Sequence, residues 1–129
     1  MPMPSKEEWF PLWVKAAERT PFDKEKVAEI SKDIPCIVVD YGDWGKVFCH
    51  LTAEGEFKLS QEAPVGVDCK PTIKVKPEDM YSICTGETAM MSAMMGGLMA
   101  VEGIQMMKLT PILPLFGPMF EEMGKVCNE

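Results

Sequence analysis

The one place where two reactive side chains adjoin is Cys49-His50, and His50 is the only histidine in the chain. A thiol and an imidazole make a nucleophile and base only if they meet in space. The surrounding "KVFCHLT" (46–52) reads as a strand, and neighbouring strand residues point to opposite faces. The spacing therefore predicts a packed thiol beside a strand-face histidine, with no catalytic residue and no enzyme. One histidine and scattered cysteines also lack the ligand spacing of zinc sites, so no metal is expected. Asp40, Asp43, Glu54 and Glu56 fall around turns and read as solvated charges rather than a working carboxylate pair. Neither "MGG" nor "GDWG" has the form of a phosphate loop, and no cofactor is predicted.

The cysteines (Cys36, Cys49, Cys69, Cys84 and Cys127) are odd in number and contain no CxxC pair. "MPMPSKEEW" lacks the basic end and apolar run of a signal peptide. Free thiols in a reducing cytoplasm are therefore expected. The net charge of −7 argues against nucleic acid and against electrostatic docking to anionic lipid. The length of 129 residues fits one domain with a real core.

What remains is apolar. "ETAMMSAMMGGLMAVEGIQMMKL" (87–109) holds seven of the twelve methionines. Between Thr88 and Phe120 the only charged residues are Glu102 and Lys108. Its uncharged runs, fourteen residues before Glu102 and twelve after Lys108, fall short of the roughly twenty a bilayer helix needs. Methionine specifies tight packing poorly and suits surfaces that adapt to varied apolar shapes. Cores and pockets share composition, so the residues alone leave a plain core and a ligand cavity both open.

The elements that would position these residues follow from period and punctuation. Ser5 and Glu8 form a capping box before Trp9, Leu12, Trp13, Ala16 and Ala17, with Pro11 predicted to kink that helix or delay its start. Asp23 caps a second helix with Val27, Ile30 and Ile34 inward. "CIVVDY" (36–41) is a strand and "GDWG" (42–45) a turn. "KVFCHLT", "EFKLS" (56–60) and "PTIKVK" (71–76) then predict a three-stranded antiparallel meander, with Phe57, Leu59, Ile73 and Val75 on buried faces. Pro77 with Glu78 and Asp79 starts a helix that Gly86 stops. A Met-faced helix follows, and then a short strand, "LMAV" (98–101). Thr110-Pro111 predicts the start of a last amphipathic segment broken by Pro114, Gly117 and Pro118. The result is one α+β domain over 1–129: helices in 1–34, strands in 35–76, apolar helices and a last strand in 77–129.

From about Asp43 to Phe116 the chain resembles the sterol carrier protein type 2 domain family. The likeness rests on "KVFCHLTAEGEFKLSQEAP", "DCKPTIKVKPEDMYSICTGE", "SAMMGGLMAVEG" and "IQMMKLTPILPLF", in that order and spacing. Ile104 departs from the family's usual acidic residue, and "KVCNE" lacks the peroxisomal tripeptide of animal relatives. The resemblance implies a five-stranded, mainly antiparallel sheet covered on one face by helices, with an apolar tunnel between them. It implies non-catalytic binding of fatty acyl, phospholipid, sterol or isoprenoid-like ligands.

On this reading the cavity wall is Met90, Met91, Met94, Met95, Leu98 and Met99, with Met106, Met107, Ile112, Phe116 and Phe120 from the last segment. Phe57, Leu59, Ile73 and Val75 would be the sheet floor, or equally plain core. The rival expectation is an interaction module: the Met-rich third as a groove for a partner helix, a homodimer contact or a transient membrane contact. Service to apolar-metabolite (quinone-type) biosynthesis falls under the same alternative.

Overall fold

The computed structural model describes residues 4–103 and 106–127, leaving aside the side chains of Met90, Met91, Met106, Met107 and Leu109. Helix α1 (Lys6–Arg19) begins at Ser5. The Glu8 carboxylate accepts from the Ser5 backbone N–H at 3.1 Å and from its hydroxyl at 2.9 Å. Those bonds, the backbone one foremost, hold the Glu8 carboxyl below its ordinary range. The helix runs on through Pro11, so the expected late start is corrected. A proline removes one main-chain bond, at a cost of about 3 kcal/mol, whereas burying Trp9, Leu12 and Trp13 returns roughly 1.5–3 kcal/mol each. In α2 (Lys24–Ser31) the Asp23 carboxylate accepts from the N–H groups of Glu25 (3.0 Å) and Lys26 (3.3 Å).

Strands β1 (Cys36–Asp40), β2 (Lys46–Leu51), β3 (Phe57–Ser60), β4 (Thr72–Val75) and β5 (Met99–Glu102) form one sheet in the order β3-β2-β1-β4-β5. Three of the four pairings are antiparallel, and β1 with β4 is parallel, Val39 opposite Ile73. The expected meander is therefore half right. β2 and β3 form a hairpin, but β4 crosses to the far side of β1. Residues 61–71 supply the crossover. Three strand spacings are about 14 Å, within easy reach of eleven residues. The alternating pattern of β4 specifies which face is buried and carries no information on which neighbour it takes.

That crossover is tied down covalently. Cys69 forms a disulfide with Cys36, with Cα atoms 4.6 Å apart. The expectation of free thiols throughout is overturned, and the inference from cysteine usage to a reducing compartment goes with it. No spacing rule could pair residues 33 apart; the crossover brings them together. Cys49, Cys84 and Cys127 remain free.

Register sorts the sheet into two faces. Cys36, His50 and Lys58 stand opposite one another on one side, with Lys74 and Glu102 in an ion pair at 3.2 Å across β4 and β5. Ile37, Val39, Cys49, Leu51, Ile73, Val75 and Met99 point to the other side and join the core. This inner face is roofed by α1, α3 (Pro77–Thr85), α4 (Met90–Met95) and α5 (Leu113–Cys127). Gly86 ends α3 in the left-handed region, φ 86°, a conformation that glycine adopts without a Cβ clash.

The last segment differs from expectation. Thr110-Pro111 lies inside a 3-10 stretch, Met106–Ile112, and a single fifteen-residue helix follows. Pro114 falls in the first turn of α5, where no N–H partner is lost. Pro118 is absorbed because Leu115, Phe116, Met119, Phe120 and Met123 bury one continuous stripe.

Candidate apolar binding site

Between the inner sheet face and the helices lies a small apolar cavity of about 20 Å³. Val39 and Ile73 form its floor at the parallel β1–β4 pair, with Met99 and Val101 from β5. Met80 of α3, Met94 of α4 and Phe116 and Phe120 of α5 line it from the helical side, with Ile112 and Leu113 at the start of α5. Every lining residue is apolar. The volume suffices for about one water, whereas small-molecule pockets run to roughly 300–1,000 Å³.

Of the residues named from sequence, Ile73, Met94, Met99, Ile112, Phe116 and Phe120 line this space. Val75 is core beside it, and Phe57 stacks on Phe22 at 4.5 Å and meets Phe116 edge-on at 6.2 Å. Leu59 packs at the margin of the same core. Met95 and Leu98 are not among the residues lining it: they are 82% and 42% exposed. Successive helical residues are about 100° apart, and α4 is so turned that Met94 faces inward and Met95 outward. Leu98 follows the Gly96-Gly97 turn, before β5 sets its alternation. Met90, Met91, Met106 and Met107 have side chains outside the described ones, as Ile104 is outside the described residues. Val39, Met80, Val101 and Leu113 escaped the sequence reading. The apolar positions of "CIVVDY" and of the α3 face were visible signals, but their convergence was not.

On the other side of Ile112 lies a separate groove of about 800 Å³, at the end of the sheet where β1 and β4 begin. Ile112 is shared by cavity and groove. Ile30, Ile34, Pro111 and Pro114 line the groove, and Lys26, Lys70 and Lys108 share its rim with Glu29, Asp33 and Asp68.

At the opposite end stand three buried polar groups. The Trp9 and Trp13 indole N–H groups face the Tyr41 hydroxyl, in contacts short of full hydrogen-bond geometry. Tyr41 packs against both indoles, with ring centroids 5.4 and 6.0 Å away. Burial, and next the nearby Cys84 and Cys49 sulfurs, push the Tyr41 phenol well up, while the two indoles pull it down. Burial likewise pushes up the Cys49 and Cys84 thiols, and the Cys84 thiol lies 3.8 Å from the Met123 sulfur.

The Cys49–His50 pair is split as alternation requires: Cys49 is buried in the core and His50 lies on the outer face opposite Cys36. Among the described residues no group of three or more His, Cys, Asp or Glu side chains could hold a metal ion. Among the same residues no helix is long and apolar enough to cross a membrane.

No family model matches the sequence, and no curated protein matches it. Solved structures do match. A crystal structure of sterol carrier protein 2 aligns with a TM-score of 0.55 at 14% identity, covering 88% of this chain and 94% of the other. A conserved hypothetical protein of Thermus thermophilus, suggested to be a sterol carrier protein, aligns at 0.53 with 16% identity, over 88% and 85%. Sterol carrier protein 2 of Yarrowia lipolytica in its apo form aligns at 0.52 with 13% identity, over 89% and 88%. At such identities the likeness speaks for the fold, and the chain has the sterol carrier protein 2 fold.

Proposed function

We propose that this protein is a non-catalytic carrier that shields fatty acyl, phospholipid, sterol or isoprenoid-like molecules from water. The observation that carries this reading is the wholly apolar lining of the space between a one-faced sheet and its helical roof. Burial of a sixteen-carbon chain there is worth on the order of 10 kcal/mol before ordering costs, at about 0.8 kcal/mol per methylene. The small cavity must first widen. Met80, Met94 and Met99 line it from three different elements, and their unbranched side chains reshape a wall at little cost. The groove beyond Ile112 supplies the mouth, its mixed charges facing water while the chain passes inward.

Native mass spectrometry of the purified protein tests this. A monomer carrying a co-purified lipid of a few hundred daltons is the expected result. Protein that arrives ligand-free and also fails to take up a fluorescent fatty acid would sink the proposal.

A second reading, an interaction or homodimer module, is favoured by Met95 and Leu98 standing exposed on either side of the Gly96-Gly97 turn. Sedimentation of the wild type beside Met95→Glu separates the two readings. A dimer lost in the variant supports the module, and an unaltered monomer supports the carrier.

A further inference from the structure

The crossover that carries Cys69 leaves β3 at Ser60 and re-enters the sheet at Thr72, and both ends stand in one row with Phe48 and Val38. Helices occupy the inner face, and the Cys36 side chain points to the outer one. Residues 61–71 therefore run across the outer face as a strap. Burial agrees with that path. Cys36 and Val38 are 0% and 5% exposed, yet neither belongs to the core beneath the helices. In the strap, Pro64, Val67 and Cys69 are half-buried, while Glu62, Val65, Asp68 and Lys70 are exposed.

Among the described residues, no main-chain hydrogen bond joins residues 61–70 to a strand. The Val67 N–H donates to the Pro64 carbonyl at 3.4 Å, inside the strap. The Val38 N–H reaches the Pro71 carbonyl at 2.9 Å, where the crossing is already complete. The disulfide is the bond that pins the strap between its two ends. Its sulfurs are unequal: Cys69 is half-buried in the strap, and Cys36 is fully buried in β1. Thiol–disulfide exchange depends on which sulfur is reachable and on how readily the other leaves. Cys36 leaves toward His50, its direct cross-strand neighbour on the same face. Cβ atoms of such neighbours are about 4.5–5.5 Å apart, and an imidazolium at that range favours a thiolate.

We propose that Cys69 is a thiol-exchange site and that its bond to Cys36 is a redox clasp on the outer face of the sheet. The thiolate of a small-molecule thiol attacks the Cys69 sulfur, and a new S–S bond forms there. The bond to Cys36 breaks, its electron pair goes to the Cys36 sulfur, and the His50 imidazolium supplies the proton that neutralises it. The product is a mixed disulfide at Cys69 and a free thiol at Cys36. The released strap uncovers Val38 and Phe48, an apolar surface on the side of the sheet away from the helices. The clasp acts on the outer face and stands whether or not the inner cavity takes a lipid.

Peptide mass mapping tests this, after native protein is incubated with reduced glutathione without denaturant and quenched in acid. One glutathione should appear on Cys69 and none on Cys36. His50→Gln should slow the exchange roughly tenfold, because a less stabilised thiolate leaves more slowly, while its urea midpoint stays near that of the wild type. Hydrogen–deuterium exchange of the glutathione-treated protein should rise across residues 61–70, with β2, β4 and α5 still protected. The double variant Cys36→Ser, Cys69→Ser should show the same local rise with no thiol added. Glutathione on Cys36, no reaction until denaturant is present, a rate unchanged in His50→Gln, or protection lost through β4 and α5 overturns the clasp.

Discussion

Gly124 of α5 rests against the main-chain carbonyl of Cys84 at the end of α3, so closely that a Cβ at position 124 would overlap it. This contact sets how near the two helices lie over the inner sheet face. Gly124→Ala should therefore destabilise, because overpacking at about 1–3 kcal/mol exceeds the gain of up to ~1 kcal/mol from replacing a helical glycine. Gly117 in the same helix faces open space, with no atom within 4 Å of where a Cβ would stand. Gly117→Ala should stabilise by up to ~1 kcal/mol. Thermal melts of the two variants should move in opposite directions.

The Met pair gives a sharper contrast. Met94 is buried in the cavity wall and Met95 is solvent-exposed. Met94→Glu should abolish uptake of a fluorescent fatty acid and lower stability by about 2–4 kcal/mol, the cost of an unpaired buried charge. Met95→Glu should leave uptake within about twofold of wild type. If Met94→Glu does not fold, the uncharged Met94→Gln should still weaken uptake. Equal uptake by the position 94 and position 95 variants would contradict the wall.

The disulfide between Cys36 and Cys69 closes a loop across a separation of 33 residues. Loop-closure entropy assigns such a cross-link about 4 kcal/mol. A reducing agent, or Cys69→Ala, should lower the urea midpoint accordingly. Titration of the denatured chain should find three thiols before reduction and five after it.

Alkaline pH should destabilise the fold. Burial raises the Cys49 and Cys84 thiols above their unfolded values, so both stay protonated in the native state while the unfolded chain releases protons. Their contribution is whole below the unfolded thiol value, about 8.5, and is lost above it by about 1.4 kcal/mol per pH unit for each group. Tyr41, raised in the same sense, adds to the loss above about pH 10. Urea unfolding between pH 7 and pH 10 should show a plateau and then a decline, shallower in Cys49→Ala. Stability that holds flat to pH 10 would contradict the burial of these groups.

Local order explains which features were legible before folding. Capping at Ser5 and Asp23, the stop at Gly86 and the alternation in β2 to β4 depend on near neighbours, so the residues themselves specify them. The same alternation separates Cys49 from His50 and assigns Ile73 and Val75 to the buried face. Long-range pairing is another matter. A strand's periodicity is the same whichever partner it takes, so the parallel β1–β4 neighbourhood and the Cys36–Cys69 bond arise only when residues 61–71 cross the sheet. Composition could mark residues 88–120 as apolar, but it could not choose Met94 over Met95, because that choice depends on how α4 sits on the sheet. Nor could it foresee that Trp9, Trp13 and Tyr41, from two distant segments, would bring their polar atoms together in an otherwise apolar interior.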